Sequence, residues 1–381
     1  MKVLIVLGTR PEAIKFAPVI RALKKTAIET IVCVSGQHKE MLQPMLDLFG
    51  IIPDNTLNTM TPGQSLNMLA SRIFSEIDVV IEQHNPDWIL VQGDTTTAMT
   101  AGLAAFHKKI KVGHIEAGLR TGDLNNPFPE EANRSILSRI ATLHFAPTVY
   151  ARDALLREGV QKDNIIVTGN TVVDAVNLAL SISKNKLNSN ILIKYLGDAL
   201  PQPMILITCH RRENFGSVLE NICYMIRRLC TRYPNYHWVF PVHLNPNVKE
   251  PVYRLLSNIE NLSLLPPVDY LTSLQLIAGS CLVVTDSGGI QEEAPSFGIP
   301  VVVMRSFTER MEGMYAGVAS LAGQEPAAIE AEIDKWLSLV ELPEALIQKV
   351  SPYGDGKASD RIIKGLLDQT TDEFIFSVPA R

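Results

Sequence analysis

Several features that mark large protein classes are missing from this sequence. No apolar run approaches the ~18 residues that a membrane-spanning helix needs. The N-terminus, Met1-Lys2 followed by an apolar stretch over 3–7, runs directly into a glycine turn and is too short for a secretory signal. There are only five cysteines (33, 209, 223, 230 and 281), an odd number without metal-ligand spacing, which reads as reduced, buried thiols in a cytoplasmic protein. The net charge is −5, with no basic excess to grip a nucleic-acid backbone. No Gly-x-Gly-x-x-Gly follows any predicted strand, which argues against a bound dinucleotide.

What is present is ample apolar material, 46% of 381 residues, and a length that suggests two domains at ~100–200 residues each. Short β-branched runs recur, each followed by a loop and a helix-period segment. In the first half they lie at 3–7, 30–35, 88–92, 112–115, 143–146 and 165–168. In the second they lie at 204–208, 237–242, 262–265, 282–285 and 300–304. Continuous apolar strands alternating with helices, such as 64–83, 96–107 and 218–233, are what parallel sheets covered on both faces require. The pattern restarts near 204, after a polar stretch at 181–189 and the Pro-Gln-Pro at 201–203. The expected fold class is α/β: two doubly wound, Rossmann-like domains facing across a cleft. The first domain is expected over 1–170, with a C-terminal helix at 360–381 packing back on it, and the second over 171–359.

In open α/β sheets ligands bind beyond the carboxyl ends of the strands, so chemistry-capable residues should gather there. Strand one ends in Gly8-Thr9-Arg10-Pro11-Glu12 with Lys15 a turn later; Arg10 and Lys15 could flank an anion at a helix N-terminus, or be ordinary exposed cations. Asp94, in Gly93-Asp94-Thr95, is either an N-cap or an acid/base group. Glu116 is a carboxylate in an otherwise apolar strand end, harder to excuse as packing. If those two strands are neighbours at ~4.8 Å, both carboxylates look into one crevice. Paired carboxylates there can divide acid and base roles. Glu130 opens a helix after a proline-bracketed loop, where a simple dipole role competes with a functional one.

The second half offers His210-Arg211-Arg212 at a strand end, a costly group to bury without an anion. Ser287-Gly288-Gly289 forms a backbone nest for phosphate, and Glu293, a turn on, suits paired ribose hydroxyls. His243 ends a strand in Pro241-Val242-His243-Leu244-Asn245-Pro246, as a site group or a structural loop histidine. One half thus offers carboxylates and the other offers His, Arg and a phosphate nest. That division fits a sugar held by the first half and a nucleoside diphosphate held by the second.

The strings at 8–15 (GTRPEAIK), 93–97 (GDTTT), 113–121 (GHIEAGLRT), 129–134 (PEEANR), 210–216 (HRRENFG), 241–246 (PVHLNP), 285–295 (TDSGGIQEEAP) and 353–358 (YGDGKA) closely resemble the bacterial non-hydrolysing UDP-N-acetylglucosamine 2-epimerase family, in order along the chain. The resemblance implies a fold like that of GT-B glycosyltransferases. It also implies epimerisation of UDP-GlcNAc at C2 to UDP-ManNAc through 2-acetamidoglucal, with no NAD and no metal, supplying ManNAc for surface polysaccharide. By resemblance, Asp94, Glu116, Glu130 and His210 are catalytic. Arg10, Ser287, Gly288, Gly289 and Arg310 hold the phosphates, Glu293 the ribose, and Lys15 is a supporting cation.

Gln37, Gln64, Arg211, Arg212 and His243 fall on strings that in bacterial members form an activator site for a second UDP-GlcNAc. A homodimer is the family expectation. The chain departs from the family at Glu40, Gly63 and Ser273, and at Ser306, Phe307 and Met311 in the stretch 305–312. The nucleotide-side changes keep a modified substrate, such as an N-acetylated uronate, as an alternative reading, and the shared nest and ribose Glu keep a GT-B glycosyltransferase as another.

Overall fold

The structure is a computed structural model that describes residues 1–36, 39–61, 63–183, 195, 197 and 202–377. The chain folds into two compact units, the first comprising Met1–Ala179 and Tyr353–Phe376, the second built from Leu180–Pro352.

The first unit is a seven-stranded sheet of β1 (Lys2–Leu7), β2 (Glu29–Val34), β3 (Asn55–Thr56), β4 (Trp88–Gln92), β5 (Lys111–Ile115), β6 (Leu143–Ala146) and β7 (Ile165–Val167), in the order β3-β2-β1-β4-β5-β6-β7. Every pairing is parallel. Seven helices interleave with these strands: α1 (Arg10–Leu23), α2 (Lys39–Phe49), α3 (Leu66–His84), α4 (Thr96–His107), α5 (Glu130–Ile140), α6 (Val149–Arg157) and α7 (Thr171–Ser183). The order reverses between β1 and β4, so the crevice for a ligand opens at the loops that follow those two strands. β4 is buried at every position and β1 at all but its first, which explains why both read as unbroken apolar runs. Leu4, Val6, Ile89 and Val91 share one core cluster with Ile77 of α3 and Ala101 of α4.

Helix α4 carries small residues on its packed face. A Cβ on Gly102 would stand 2.7 Å from a methyl of Leu137 in α5. That close approach seats α5, and with it Glu130, beside the end of β4.

Helix α7, expected to open the second half, lies mostly in the first unit. Its Val172 and Val173 cluster with Tyr353, and the buried Asp174 carboxylate accepts from the amides of Ala358 (3.3 Å) and Ser359 (2.9 Å). Asp174 thereby caps a returning helix, Ala358–Leu366, which lies against α1. That helix stops at Leu366 rather than continuing towards 381; the chain turns at 367–368 and then runs without regular structure, and the Phe374 amide donates to the Val167 carbonyl at 2.8 Å. Arg361 fastens the return by bonding Thr168 O, both Asp355 oxygens and Asp372.

The second unit is a six-stranded parallel sheet in the order β10-β9-β8-β11-β12-β13, made of β8 (Met204–Thr208), β9 (His237–Pro241), β10 (Leu262–Leu265), β11 (Ser280–Thr285), β12 (Val301–Val303) and β13 (Ala319–Leu321). Its order reverses between β8 and β11. Four of the five thiols are buried, as expected, but Cys281 is exposed: the register between β11 and β8 slips there, between Ser280 and Leu282, and its Sγ donates to Met204 O at 3.2 Å. All five cysteines are free.

Candidate active site

Three loops leave the carboxyl edge of the first sheet at its reversal. The first needs Gly8, because a Cβ there would stand 2.2 Å from Ser35 Oγ and 2.6 Å from Thr97 Oγ1. Thr9 and Glu12 then form a capping box that starts α1, with Arg10 half-buried at the first helical position and Pro11 next. Glu12 does more than cap. Its Oε2 accepts from Gly8 N (2.9 Å), Thr9 N (2.7 Å) and Thr9 Oγ1 (2.8 Å), and its Oε1 accepts from Thr95 Oγ1 at 2.7 Å. It therefore ties the loop after β1 to the loop after β4. Burial raises its carboxyl to about 7 against those hydrogen bonds.

The N-cap reading of Asp94 fails, because Thr95 caps α4 through Ala98 N. Asp94 is free for another role and is held for it: its Oδ2 accepts from Arg134 Nη2 at 2.5 Å, and its carbonyl accepts from Asn133 Nδ2 at 2.8 Å. Arg134, itself buried, also bonds Glu131 Oε2 at 2.9 Å. Glu131 Oε1 in turn accepts from the amides of Thr121 and Gly122, both at 3.1 Å. Glu130 is the first residue of the same helix and half-buried. The proline-bracketed loop before it has cis bonds at Asn126-Pro127 and Phe128-Pro129.

β4 and β5 are neighbours, with Gln92 opposite Ile115, so Asp94 and Glu116 leave adjacent strand ends. Glu116 sits at φ +62°, in the left-handed region that non-glycine residues rarely adopt. Such strain persists only where the surroundings over-determine it, and it gathers at functional sites. The surroundings here are Lys15 Nζ and Gln92 Nε2, which both bond the carboxylate, and Asn170 Nδ2 at 3.1 Å. Lys15, expected as a cation facing an anion, is instead buried and ion-paired with Glu116. Below them His114 Nε2 donates to Gly93 O at 2.8 Å, and burial pushes its imidazole down to about 3, so it is neutral.

In the second unit, Asp286 follows β11 and is fully buried. Its Oδ2 accepts from His210 N (2.8 Å), Arg211 N (2.9 Å) and Asn214 Nδ2 (2.9 Å), which clasps the loop after β8 to the end of β11. The His210 ring stacks on that of exposed His243, centroids 5.8 Å apart and 20° between planes. Ser287 is the N-cap of the short helix Gly288–Glu293, with Gly289 inside its first turn and Glu293 buried at its end. The Arg310 guanidinium lies against Gly288, where a Cβ would be 2.8 Å from Cζ. Arg310 is held there by Glu292 Oε1 at 2.7 Å and by Glu309. Glu309 also accepts from buried Arg305 at 3.2 Å. Burial and the nearby Arg305 lower the Arg211 guanidinium from its usual value.

Of the activator positions, Gln37 lies outside the described residues, and Arg212 opens the 3₁₀ turn Arg212–Asn214. Gln64 belongs to the first unit, bonded to Thr61 Oγ1 (3.0 Å) and Arg72 Nη1 (3.2 Å). Among the described residues no group of three or more His, Cys, Asp or Glu is arranged to hold a metal ion. No described helix is long and apolar enough to cross a membrane.

The residues that position the site were the ones sequence reading passed over: Glu12, Gln92, Glu131, Arg134, Asn170 and Asp286. Asn170 carried a usable signal, a polar side chain between Gly169 and Thr171 three residues past an apolar strand, and Asp286 a simpler one, a carboxylate directly after the apolar β11.

The family profile for UDP-N-acetylglucosamine 2-epimerase matches residues 21–367. The chain is 47% identical over 369 residues to the UDP-N-acetylglucosamine 2-epimerase of Escherichia coli K12, covering 96% of this chain and 98% of that one. Among solved structures, the Neisseria meningitidis UDP-GlcNAc 2-epimerase bound to UDP-GlcNAc superposes with a TM-score of 0.87 at 46% identity, over 97% of this chain and all of that one. The Methanocaldococcus jannaschii enzyme in complex with UDP-GlcNAc and UDP does so at 0.83 and 33% identity, over 97% and 100%. A Streptomyces nogalater glycosyltransferase, at 13% identity and a TM-score of 0.59, shares the fold alone. By profile, by identity along nearly its whole length and by fold, this chain belongs to the UDP-N-acetylglucosamine 2-epimerase family.

Proposed function

We propose that the protein interconverts UDP-GlcNAc and UDP-ManNAc by eliminating and re-adding UDP. The observation that carries this reading is Glu116: a buried, conformationally strained carboxylate fixed by Lys15, Gln92 and Asn170, one strand from Asp94. A binding protein for the same ligand has no need of it.

The chemistry explains the residue types. The C2 proton of the sugar has no neighbouring carbonyl and is not acidic, so direct removal is too slow. As a carboxylate takes the C2 proton, the C2–H electron pair forms the C1=C2 bond and the C1–O pair leaves with UDP, giving 2-acetamidoglucal and UDP. Re-addition of UDP at C1, with protonation of C2 on the opposite face, completes the inversion. Asp94, Glu116 and Glu130 supply the acid and base groups. Ser287, Gly288, Gly289, Arg10 and Arg310 neutralise the departing diphosphate, Glu293 binds the ribose, and His210 exchanges a proton with the diphosphate. No step calls for NAD or a metal.

The same proposal includes a second UDP-GlcNAc acting as activator on Gln64, Arg211, Arg212 and His243, and a cytoplasmic homodimer. Proton NMR of UDP-GlcNAc incubated with the protein tests the main reading. UDP-ManNAc should grow to a constant ratio with UDP-GlcNAc, without lasting free ManNAc. Steady accumulation of ManNAc marks a hydrolase instead, and UDP release that depends on an acceptor marks a glycosyltransferase.

A further inference from the structure

The buried carboxylate of Asp286 has two oxygens with different surroundings. Oδ2 already accepts three N–H groups from the loop after β8, which is all that clasping that loop requires. Oδ1 lies 3.4 Å from Nδ1 of His210. The two side chains differ sharply in access: Asp286 is 0% exposed and His210 is 40% exposed, so one edge of the imidazole faces the carboxylate while the ring remains reachable. Stacking on His243 constrains the plane of that ring. The charged groups acting on the neighbouring Arg211 are Arg305, Arg310, Glu309 and Glu213, and the Cys209 thiol also hydrogen-bonds Asp286; burial, the Asp286 charge and that bond push the thiol well above its usual value and so keep it neutral.

We propose that Asp286 is the positioning residue of His210: its Oδ1 accepts the Nδ1 proton, which leaves Nε2 as the nitrogen that exchanges a proton with the diphosphate. This rests on the reading of His210 given above. In the elimination step the imidazolium gives its Nε2 proton to a diphosphate oxygen as the C1–O bond breaks. The neutral ring that remains keeps its proton on Nδ1, bonded to Asp286. Re-addition of UDP returns the proton to Nε2. The present 3.4 Å is long for a hydrogen bond, and such contacts commonly tighten only when substrate is bound.

The test is ¹⁵N NMR of the full chain labelled at histidine, with and without UDP, at a pH where the ring is neutral. The His210 signals are assigned by their loss in His210→Gln. His210 should carry its proton on Nδ1. Asp286→Asn keeps an oxygen for the three loop donors but turns an NH₂ group towards Nδ1, so the proton should move to Nε2. Turnover should then fall roughly 10²-fold or more, as loss of tautomer control does in an Asp–His pair of a hydrolase, while KM changes by no more than about threefold.

An Nε2–H tautomer in the unsubstituted protein with UDP bound overturns the proposal, and that measurement stands even if the variant fails to fold. Near-normal turnover of Asp286→Asn overturns it too, as does a loss of UDP affinity equal to the loss of turnover, which marks a purely structural clasp. Near-normal turnover of His210→Gln has a different meaning: it removes His210 from the chemistry and leaves the Asp286–His210 tautomer result intact.

Discussion

Replacing Lys15 by Met removes the cation from a carboxylate that is itself buried, since Lys15 and Glu116 are each under a tenth exposed. Breaking a buried ion pair from one side costs ~3–5 kcal/mol, because the remaining charge is left without its partner. Gln92 and Asn170 still bond Glu116 and offset part of that, which places Lys15→Met near the lower end, about 3 kcal/mol. Glu116→Gln leaves a buried ammonium and should cost a similar amount. The double variant leaves no net charge behind and should cost much less than the two single changes together, by at least about 2 kcal/mol of coupling. A two-unit chain need not unfold in one step, so native-state hydrogen exchange of the β4 and β5 amides is the right assay, reading the first unit alone. Additive single and double variants would refute the argument, since additivity means the two charges do not depend on one another.

Glu12 has its carboxyl raised by burial from about 4.5 to about 7, so between those pH values the folded chain holds a proton the unfolded chain has lost, and stability should fall as pH rises through that window. The loss is ~3 kcal/mol at ~1.4 kcal/mol per tenfold change in proton affinity, and Glu12→Gln should abolish it in pH-dependent hydrogen exchange of α1. Gly288→Ala puts a methyl within 2.8 Å of an Arg310 guanidinium that Glu292 and Glu309 hold in place, so UDP affinity by calorimetry should weaken roughly tenfold, about 1.4 kcal/mol. Asp94→Asn, Glu116→Gln and Glu130→Gln should each lower turnover roughly 10²-fold or more with substrate binding largely kept, and near-normal turnover would strike that residue from the acid/base set.

Much of this was legible because buried parallel strands leave a plain trace. β4 and β8 run as the apolar stretches at 88–92 and 204–208 do. β3 and β13, two and three residues long with partly exposed positions, leave too little pattern to register. The C-terminal return was read as one long helix because periodicity does not report where capping ends: the helix closes at Leu366, and a backbone bond from Phe374 to Val167 takes over.

At the site, strand-end motifs located the carboxylates and the nest, since those residues break an apolar run. Their supports did not show. Arg134 reaches Asp94 across 40 residues and Asp286 reaches His210 across 76, pairings set by sheet order rather than by local spacing. Lys15, read as a supporting cation beside an anion, could not be matched to its carboxylate for the same reason: β5 brings Glu116 to it.

In the proposed reaction a proton leaves C2 of the sugar and a proton returns from a protein carboxylate. Incubating the enzyme with UDP-GlcNAc in D₂O and recovering both sugar nucleotides tests this most directly. Deuterium at C2 of UDP-GlcNAc and UDP-ManNAc alike is the predicted result; protium retained at C2 in a UDP-ManNAc product that has plainly turned over would contradict it.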